Sequence, residues 1–191
     1  VHFFFFFKTL MGSPTGMRKQ LMQLINKEIK TARQKKPAAI TLKLNSLSDE
    51  LLIDKLYEAA KAGVEINMVV RGIFCLPTEH KKFKIPIQAI SIVDEYLEHS
   101  RIMIFHNGGK EKTFISSADW MVRNIDHRIE VACPIFEKNI QQEIKDILQI
   151  QLKDNIKARI LDNDLSNQYV NPRNTKKIRS QVNTYKNNYR K

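Results

Sequence analysis

A histidine and an arginine stand two residues apart at the start of an apolar run, and this pair is the first sign of chemistry in the chain. His99 and Arg101 lie just before and within the stretch that continues as Ile-Met-Ile-Phe at 102–105. In an extended strand, side chains two residues apart share a face, so both point the same way if the strand begins that early. An imidazole can act as nucleophile or general acid/base, and a guanidinium clamps oxygens. The pair therefore predicts a site for a phosphoryl group.

A turn signal follows this run and brings a second polar stretch back toward it. The residues Asn-Gly-Gly at 107–109 tolerate the positive φ angles of a tight turn. The stretch 113–115 is predicted as the returning strand, which ends in Ser-Ser-Ala-Asp at 116–119. The hairpin would place this small, hydroxyl-bearing turn near His99, where its backbone N–H groups could also meet a phosphate.

Three further polar residues stand at the predicted carboxyl ends of apolar strands. The stretches 38–44 and 65–70 are largely apolar, with a helical pattern between them, which favours parallel strands in an α/β sheet covered on both faces. Ligands in open α/β sheets gather at the carboxyl ends of the strands. Lys43, Asn45 and Arg71 all stand at such ends.

The remaining elements follow from apolar periodicity and from capping signals. Helical spacing predicts helices over about 14–33, 48–62, 137–152 and 175–189, and a short helical turn at 93–98. Further strands are predicted at 88–92, at 131–133 with Pro134 closing it, and at 157–161.

Composition indicates a folded, basic chain whose partner is an anion, for which polyphosphate, a nucleotide, a nucleic acid and an anionic membrane all qualify. An ordinary basic surface is the alternative. Of its 191 residues 42% are hydrophobic, which is enough for a core, and the formal net charge is +12. No apolar run approaches the ~20 residues that cross a membrane, and no signal peptide is recognised. The two cysteines have no paired spacing and are interpreted as free thiols in a reducing cytosol. No P-loop motif occurs in the sequence, which excludes a P-loop kinase mechanism.

Several short, uncommon sequence motifs, in this order along the chain, resemble the C-terminal part of polyphosphate kinases. They are Leu-Glu-His-Ser-Arg-Ile at 97–102, Asn-Gly-Gly at 107–109, Ser-Ser-Ala-Asp-Trp-Met at 116–121 and Arg-Ile-Glu at 128–130, with matches at 43–47, 70–73 and 157–159. The resemblance covers nearly the whole chain from about Ser13 onward.

A more distant likeness to the phospholipase D superfamily implies the fold. The signature His-x-Lys followed by Gly-Ser-x-Asn is present in altered form, with Arg101, Ser116 and Asp119 in place of the lysine, glycine and asparagine. The expected fold is α/β and phospholipase D-like, with a mixed, mostly parallel sheet and helices on both faces. The three departures argue against plain phosphodiesterase activity.

The family resemblance implies reversible transfer of the terminal phosphoryl group of ATP to inorganic polyphosphate through a phosphohistidine, with ADP as the other nucleotide. The phosphorylated histidine and the ligands of an expected Mg²⁺ ion would lie in an upstream domain, so no metal ligand is predicted in this chain. His99 would face that histidine. The candidate catalytic residues are His99 and Arg101, and the candidate ATP- and phosphate-binding residues are Arg71, His99, Arg128, Lys43 and Asn45.

Three segments are predicted. Residues 1–12, with five phenylalanines at 3–7, would be the remnant of a link to the upstream domain; 13–165 the phospholipase D-like domain; and 166–191 a basic, helical tail. We expect a homo-oligomer for the full-length protein, located in the cytoplasm, with membrane association left open.

Two other functions are weighed. A phospholipase D-type phosphodiesterase or nuclease would combine two histidine motifs in a homodimer, and a basic nucleic-acid-binding module would show basic residues and exposed aromatics on one open face. The clustering of arginines at strand ends argues against the second, so no nucleic-acid partner is expected. For Asp119 a helix or turn cap is predicted, and for Trp120 a packing role. For Arg128 a structural pair with Glu130 remains an alternative.

Overall fold

Short strands and amphipathic helices alternate along the chain. The computed structural model describes residues 9–171 and 176–189, so the phenylalanine run lies outside the described residues. The strands are β1 (Met11–Ser13), β2 (Ala39–Leu44), β3 (Glu65–Val70), β4 (Gln88–Ile92), β5 (Arg101–Phe105), β6 (Lys112–Ser116), β7 (Glu130–Ile135) and β8 (Ala158–Ile160). The helices are α1 (Met17–Arg33), α2 (Glu50–Ala62), α3 (Lys138–Leu152) and α4 (Ser180–Tyr189).

The eight strands form one mixed sheet in the order β1-β7-β6-β5-β2-β3-β4-β8. The prediction of a mostly parallel sheet is wrong, because only the β2–β3 and β3–β4 pairings are parallel and the other five are antiparallel. For β5 and β6 the reason is local: the turn after β5 reverses the chain at once, with positive φ angles at Asn107, Gly108 and Gly109, and a tight reversal makes antiparallel neighbours. The other four antiparallel pairings join strands that no tight turn connects, so local signals do not indicate them.

Helices cover both faces of the sheet, and β5 shows this because its alternate residues are buried on opposite faces. Met103 and Phe105 point into the main core with α1 and α2. Ile102 and Ile104 pack on the other face against Leu148 of α3. Such alternation is what a strand buried on both faces requires. Within the described residues, no helix is long and apolar enough to cross a membrane.

Two local predictions fail for identifiable reasons. Residues 93–98 form no helical turn but an extended loop, whose polar groups are bonded to the C-terminal segment. Pro134 does not close β7, which continues to Ile135 beside β6. β1 pairs with β7 only as far as Ala132, so Pro134 has a strand on one side only, where a missing N–H is tolerated.

One arginine joins the helical layer to the turn that leads into β7. Arg18 of α1 donates to Asp49 at 2.7 and 2.6 Å and to Asp126 at 2.9 and 2.5 Å. Asp49 is buried and also caps α2, accepting from the backbone N–H of Leu52 at 3.0 Å. Asp126 lies in the π-helical turn Arg123–His127. Hydrogen bonding to Arg18 lowers the pKa of Asp126, and bonding to the two carboxylates raises the pKa of Arg18.

We predict that Arg18→Met lowers the free energy of unfolding by roughly 2 kcal/mol or more at neutral pH, because it leaves the Asp49 carboxylate buried without its charge partner. The folded-state pKa of Asp126 is depressed, so its share of the stability exists above its unfolded pKa and is lost as pH falls through the folded pKa. The difference from wild type should therefore shrink in acid. Denaturant titrations across pH measure it, with Lys19→Met on the exposed face of α1 as control; a difference constant with pH would contradict the assignment.

Candidate functional site

All the residues predicted for the site come to one edge of the sheet. The carboxyl ends of β2 and β3 meet there because these strands are parallel. β5 runs antiparallel to β2, so its amino end lies at the same edge, and the β5–β6 register sets Arg101 opposite Ser116. The amino end of β7 follows on β6. A hairpin is thus added to a parallel unit, and both supply polar residues to one rim.

Arg71 and Asn45 bond to each other across the ends of β3 and β2. The Arg71 guanidinium donates through Nε at 3.2 Å and Nη2 at 3.1 Å to Asn45 Oδ1. The segments that follow β2 and β3 approach each other closely, and the Gly72 N–H donates to the Asn45 carbonyl at 2.7 Å. A Cβ atom on residue 72 would lie only 2.9 Å from that oxygen, so the approach requires glycine. The contact orients a partly exposed guanidinium at the strand ends.

Asp119 ties the hairpin to the end of β2. Its Oδ1 accepts from the backbone N–H groups of Asn45 at 2.8 Å and Ser46 at 3.0 Å, and its Oδ2 accepts from Arg101 Nη2 at 3.0 Å. The predicted turn cap is therefore a cap for a different segment, far away in sequence. Two of the departures from the phospholipase D signature, Arg101 and Asp119, are in contact. An arginine with a carboxylate partner takes the place of a lysine and an amide.

Trp120 supports this arrangement from below, in the packing role expected for it. The indole is buried, with 1% of the residue exposed. The backbone carbonyl of Trp120 accepts from the N–H groups of Ser48 at 2.9 Å and Asp49 at 3.0 Å, and the Trp120 backbone N–H donates to the Ser46 carbonyl at 3.2 Å. The polar turn after β6 and the loop after β2 are thus bonded together as one rim.

His99 lies at the rim but not on a strand. β5 begins at Arg101, so the geometric argument that placed both side chains on one strand face does not apply. The His99 carbonyl instead accepts from Arg101 Nη1 at 3.2 Å. The residue is exposed, and its imidazole has no hydrogen-bond or ion-pair partner in the described part of the chain. It is free to contact a ligand.

Arg128 is also exposed and unpaired within residues 9–171 and 176–189. The alternative of a structural pair with Glu130 is not what the structure shows. Glu130 accepts from Asn124 Nδ2 at 2.7 Å and from the Ser117 hydroxyl. The backbone on either side is held by Ser13, whose hydroxyl lies 2.8 Å from the Arg128 carbonyl and accepts from the Glu130 N–H at 3.1 Å.

Lys43 reaches the rim with its charge already neutralised. The side chain is buried and forms an ion pair with Glu98. Gln151 of α3 donates to the same carboxylate oxygen of Glu98 at 2.6 Å. Lys43 therefore anchors the loop before His99, whereas Arg71 and Arg128 have no ion-pair partner within the described ranges.

The electrostatic character of the rim suits an oxyanion. Two buried donors there, Asn45 Nδ2 and Arg101 Nε, have no hydrogen-bond partner in the described structure. Buried donors are normally paired, and an exception at a cleft is a candidate ligand contact. Phosphate oxygens could satisfy such donors, with Arg71 and Arg128 supplying charge.

The described residues do not fit a metal site. Nowhere in residues 9–171 and 176–189 do three or more His, Cys, Asp or Glu side chains come together as ligands. The rim carboxylates are already engaged: Asp119 by Arg101, Glu98 by Lys43, and Glu130 by the Ser117 hydroxyl. Within the described residues, the rim therefore has no set of free carboxylates that could hold Mg²⁺.

The sequence reasoning did not identify Glu98, Gln151 and Asn124 as parts of the site. Each acts through a partner: Glu98 on Lys43, Gln151 on Glu98, Asn124 on Glu130. Glu98 adjoins His99 inside the recognised motif, which was a usable signal. Gln151 lies 53 residues from its partner, and nothing in the local pattern indicates the contact.

Comparison with known proteins decides the family. The sequence profile described as "Polyphosphate kinase C-terminal domain 2" matches residues 10–181. This chain belongs to the polyphosphate kinase C-terminal domain family. The polyphosphate kinase of Escherichia coli (strain K12) is 48% identical over 179 residues, which are 94% of this chain and 26% of that protein. The Vibrio cholerae polyphosphate kinase is 49% identical with the same coverage. This polyphosphate kinase domain thus spans about a quarter of the length of the curated relatives it matches.

Solved structures agree on the fold. The crystal structure of polyphosphate kinase from Porphyromonas gingivalis superimposes with a TM-score of 0.92 at 45% identity, covering 95% of this chain and 28% of that one. The phospholipase D family member Nuc from Salmonella typhimurium gives a TM-score of 0.58 at 13% identity, covering 81% of this chain and 97% of that one. The second likeness shows the phospholipase D-like fold of this polyphosphate kinase domain and nothing about its substrate.

We predict that Asp119→Asn and Arg101→Gln destabilise the domain non-additively. Each single change breaks the 3.0 Å ion pair, and the double-mutant cycle should give a coupling of about 0.5–3 kcal/mol, since residues in direct contact couple in this range. Denaturant titration of the four proteins measures it, with Asp54→Asn at an exposed position as control. Additive losses would show that the contact contributes nothing to stability.

Proposed function

We propose that this domain forms one wall of a polyphosphate kinase active site. The enzyme would transfer the terminal phosphoryl group of ATP reversibly to inorganic polyphosphate through a phosphohistidine. The chain spans about a quarter of its curated relatives, so the phosphorylated histidine is assigned to another part of the enzyme. His99 would face it across the cleft.

The observation that carries the proposal is the convergence of Arg71, His99, Arg101 and Arg128 at one rim within a chain of this family. Phosphoryl transfer requires positioning and neutralisation of charge on the oxygens more than covalent help from the protein. Arginine meets that requirement because its donor fork matches two phosphate oxygens.

The proposed step runs in two halves. In the first, a histidine nitrogen of the facing domain attacks the terminal phosphorus of ATP, a P–N bond forms, the P–O bond to ADP breaks, and ADP leaves. In the second, a terminal oxygen of polyphosphate attacks the same phosphorus and the P–N bond breaks. Each half is reversible because the phosphoryl group is passed between acceptors and is not hydrolysed by water.

Each rim residue has an assigned role. His99 contacts the transferred phosphoryl group as hydrogen-bond donor or general acid/base, and Arg101, fixed by Asp119, stabilises the charge beside it. Arg71 and Arg128 bind nucleotide phosphates. Asn45 orients Arg71 and offers its unpaired Nδ2. Lys43 contributes indirectly, by holding the loop before His99.

The surroundings of the enzyme are proposed on the same basis. Any Mg²⁺ ligands are assigned to other parts of the enzyme, since the rim carboxylates of Asp119, Glu98 and Glu130 are engaged. The net charge of +12 suits inorganic polyphosphate as partner. Assembly as a homo-oligomer and a cytoplasmic location are also proposed.

A phospholipase D-type phosphodiesterase is the second candidate function, favoured by the shared fold alone. The Arg101–Asp119 pair argues against it, because it replaces a lysine and an amide with two groups that bind each other. Hydrolysis of a generic phosphodiester by the domain would support the phosphodiesterase instead.

We predict that Arg71→Lys in the complete enzyme weakens nucleotide use by about ten- to a hundredfold, because lysine cannot reproduce a bidentate phosphate contact worth roughly 1.5–3 kcal/mol. Arg71→Ala should be at least as harmful. ATP dependence and melting temperature are measured on the same preparations, with Arg33→Lys at the distant end of α1 as control. Lower stability with normal ATP dependence would make Arg71 a structural residue.

We predict that His99→Ala in the complete enzyme abolishes ATP-dependent polyphosphate synthesis and leaves the melting temperature unchanged. The side chain is exposed and unpaired in the described structure, so its removal opens no cavity. Polyphosphate formation from ATP is the assay, and His80→Ala in the exposed loop before β4 is the control. Near-wild-type synthesis by the His99 variant would refute its proposed role.

A further inference from the structure

The loop that presents His99 is held by the C-terminal segment of the chain. Residues 93–98 connect β4 to β5 without regular structure and run directly into His99. Their polar groups bond to the residues just before and at the start of α4, more than 80 positions later in the sequence. Loops without regular structure are mobile unless their backbone and side chains are tied down.

We propose that Arg179 and Gln181 are positioning residues, which clamp this loop and thereby fix His99 at the rim. The inference rests on the proposed function of His99. Neither residue is assigned contact with substrate, and each acts through the loop.

Arg179 binds the first half of the loop through two nitrogens of its guanidinium. Nε donates to Asp94 Oδ2 at 2.8 Å and Nη2 to Asp94 Oδ1 at 2.7 Å, and Nη2 also reaches Glu95 Oε2 at 3.1 Å. The Asp94 side chain is only 1% exposed, and Lys157 stands 3.7 Å away on its other side. Hydrogen bonding to Arg179 lowers the pKa of Asp94. A bidentate pair of this kind fixes direction as well as distance.

Gln181 grips the second half through the backbone. Its Oε1 accepts from the Tyr96 N–H at 3.0 Å and its Nε2 donates to the Tyr96 carbonyl at 2.7 Å, much as a neighbouring strand would. The same Nε2 lies 3.1 Å from Glu98 Oε1. Glu98 is held on its other oxygen by Lys43 and Gln151. The residue next to His99 is therefore fixed from β2, α3 and α4 together.

The clamp has a firm base. Asp154 follows α3 and is buried, and its Oδ2 accepts from the Ser180 N–H at 2.6 Å. Its Oδ1 accepts from Ile156, Lys157 and Ala158 between α3 and β8. Asn155 exchanges backbone and side-chain bonds with Ile178 at 3.0 and 2.8 Å. The start of α4 is thus bonded on one side to the fixed end of α3 and on the other to the His99 loop.

The C-terminal segment contributes more to the position of the loop than to the hydrophobic core of the fold. Within residues 176–187, whose side chains are described, only Ser180 is buried, so the segment adds little to the hydrophobic core. The Asp94 carboxylate is buried, so removing Arg179 should also cost stability, because a buried charge loses its main partner. The Gln181 contacts with the loop are polar and partly exposed, and such contacts contribute little to global stability. Losing the Gln181 contacts should loosen the loop while the sheet and its core remain intact.

The test uses the complete enzyme with Arg179→Ala, Gln181→Ala and Arg179→Lys. For each alanine variant we expect kcat/KM for ATP to fall roughly tenfold, since a mispositioned contact lowers the competent fraction. The amide of Tyr96 should exchange with solvent faster in both variants. The melting temperature should stay close to wild type in Gln181→Ala, whereas Arg179→Ala should lower it because Asp94 is left buried with Lys157 alone nearby. Arg179→Lys keeps a positive charge next to the Asp94 carboxylate, so it should retain part of the kcat/KM that Arg179→Ala loses. Arg159→Ala, whose guanidinium bonds to the Asn167 carbonyl and Tyr169, is the matched control.

The outcomes separate the two proposals. If His99→Ala abolishes synthesis but the Arg179 and Gln181 variants keep normal kcat/KM per folded enzyme, the clamp is overturned and the proposed function stands. Unchanged exchange at Tyr96 would also overturn the clamp. If His99→Ala is active, the proposed function fails, whereas faster exchange in the clamp variants still establishes the contact with the loop. Should Arg179→Ala not fold, Gln181→Ala and Arg179→Lys carry the same comparison.

Discussion

The carboxylate of Asp119 is the contact on which the rim of the sheet depends. Three hydrogen bonds join the turn after β6 to the end of β2 and to Arg101 at the start of β5. These segments are separated by up to 74 residues and come from different parts of the topology. A buried carboxylate with two backbone donors and one guanidinium has its charge compensated, so it can hold the segments together at low cost. Everything proposed for Arg71 and His99 presupposes that this junction keeps its shape.

The topology explains why the candidate site residues lie at one edge of the sheet. Two parallel pairings bring the ends of β2, β3 and β4 together, and the antiparallel β5–β6 hairpin adds its open end to the same edge. Carboxyl ends of parallel strands form a crevice because the crossing helices leave them uncovered. The opposite end of the hairpin is the tight turn after β5. The fold therefore gathers the candidate site residues at one rim of the sheet.

The sequence was informative where the physics is local. Apolar runs located β2 and β3, so Arg71 and Asn45 could be assigned to strand ends, and Asn-Gly-Gly located the hairpin. Apolar runs do not record which strand is the neighbour, so the mostly antiparallel sheet could not be read from them. Side-chain contacts across long separations, such as Gln151 with Glu98 or Arg179 with Asp94, carry no local pattern. The residues proposed to contact a ligand were named from the sequence, whereas the residues that hold them in place were not.

The two outermost strands have a consequence for how the domain behaves in concentrated solution. β1 and β8 are each three residues long, and Arg159 of β8 is covered by a bridge to Tyr169. An open sheet edge offers unpaired N–H and C=O groups to any passing strand, and short or covered edges offer few of them. A sheet of eight strands could polymerise edge to edge, and these short borders oppose that. Each border strand therefore leaves few backbone groups open to a further strand.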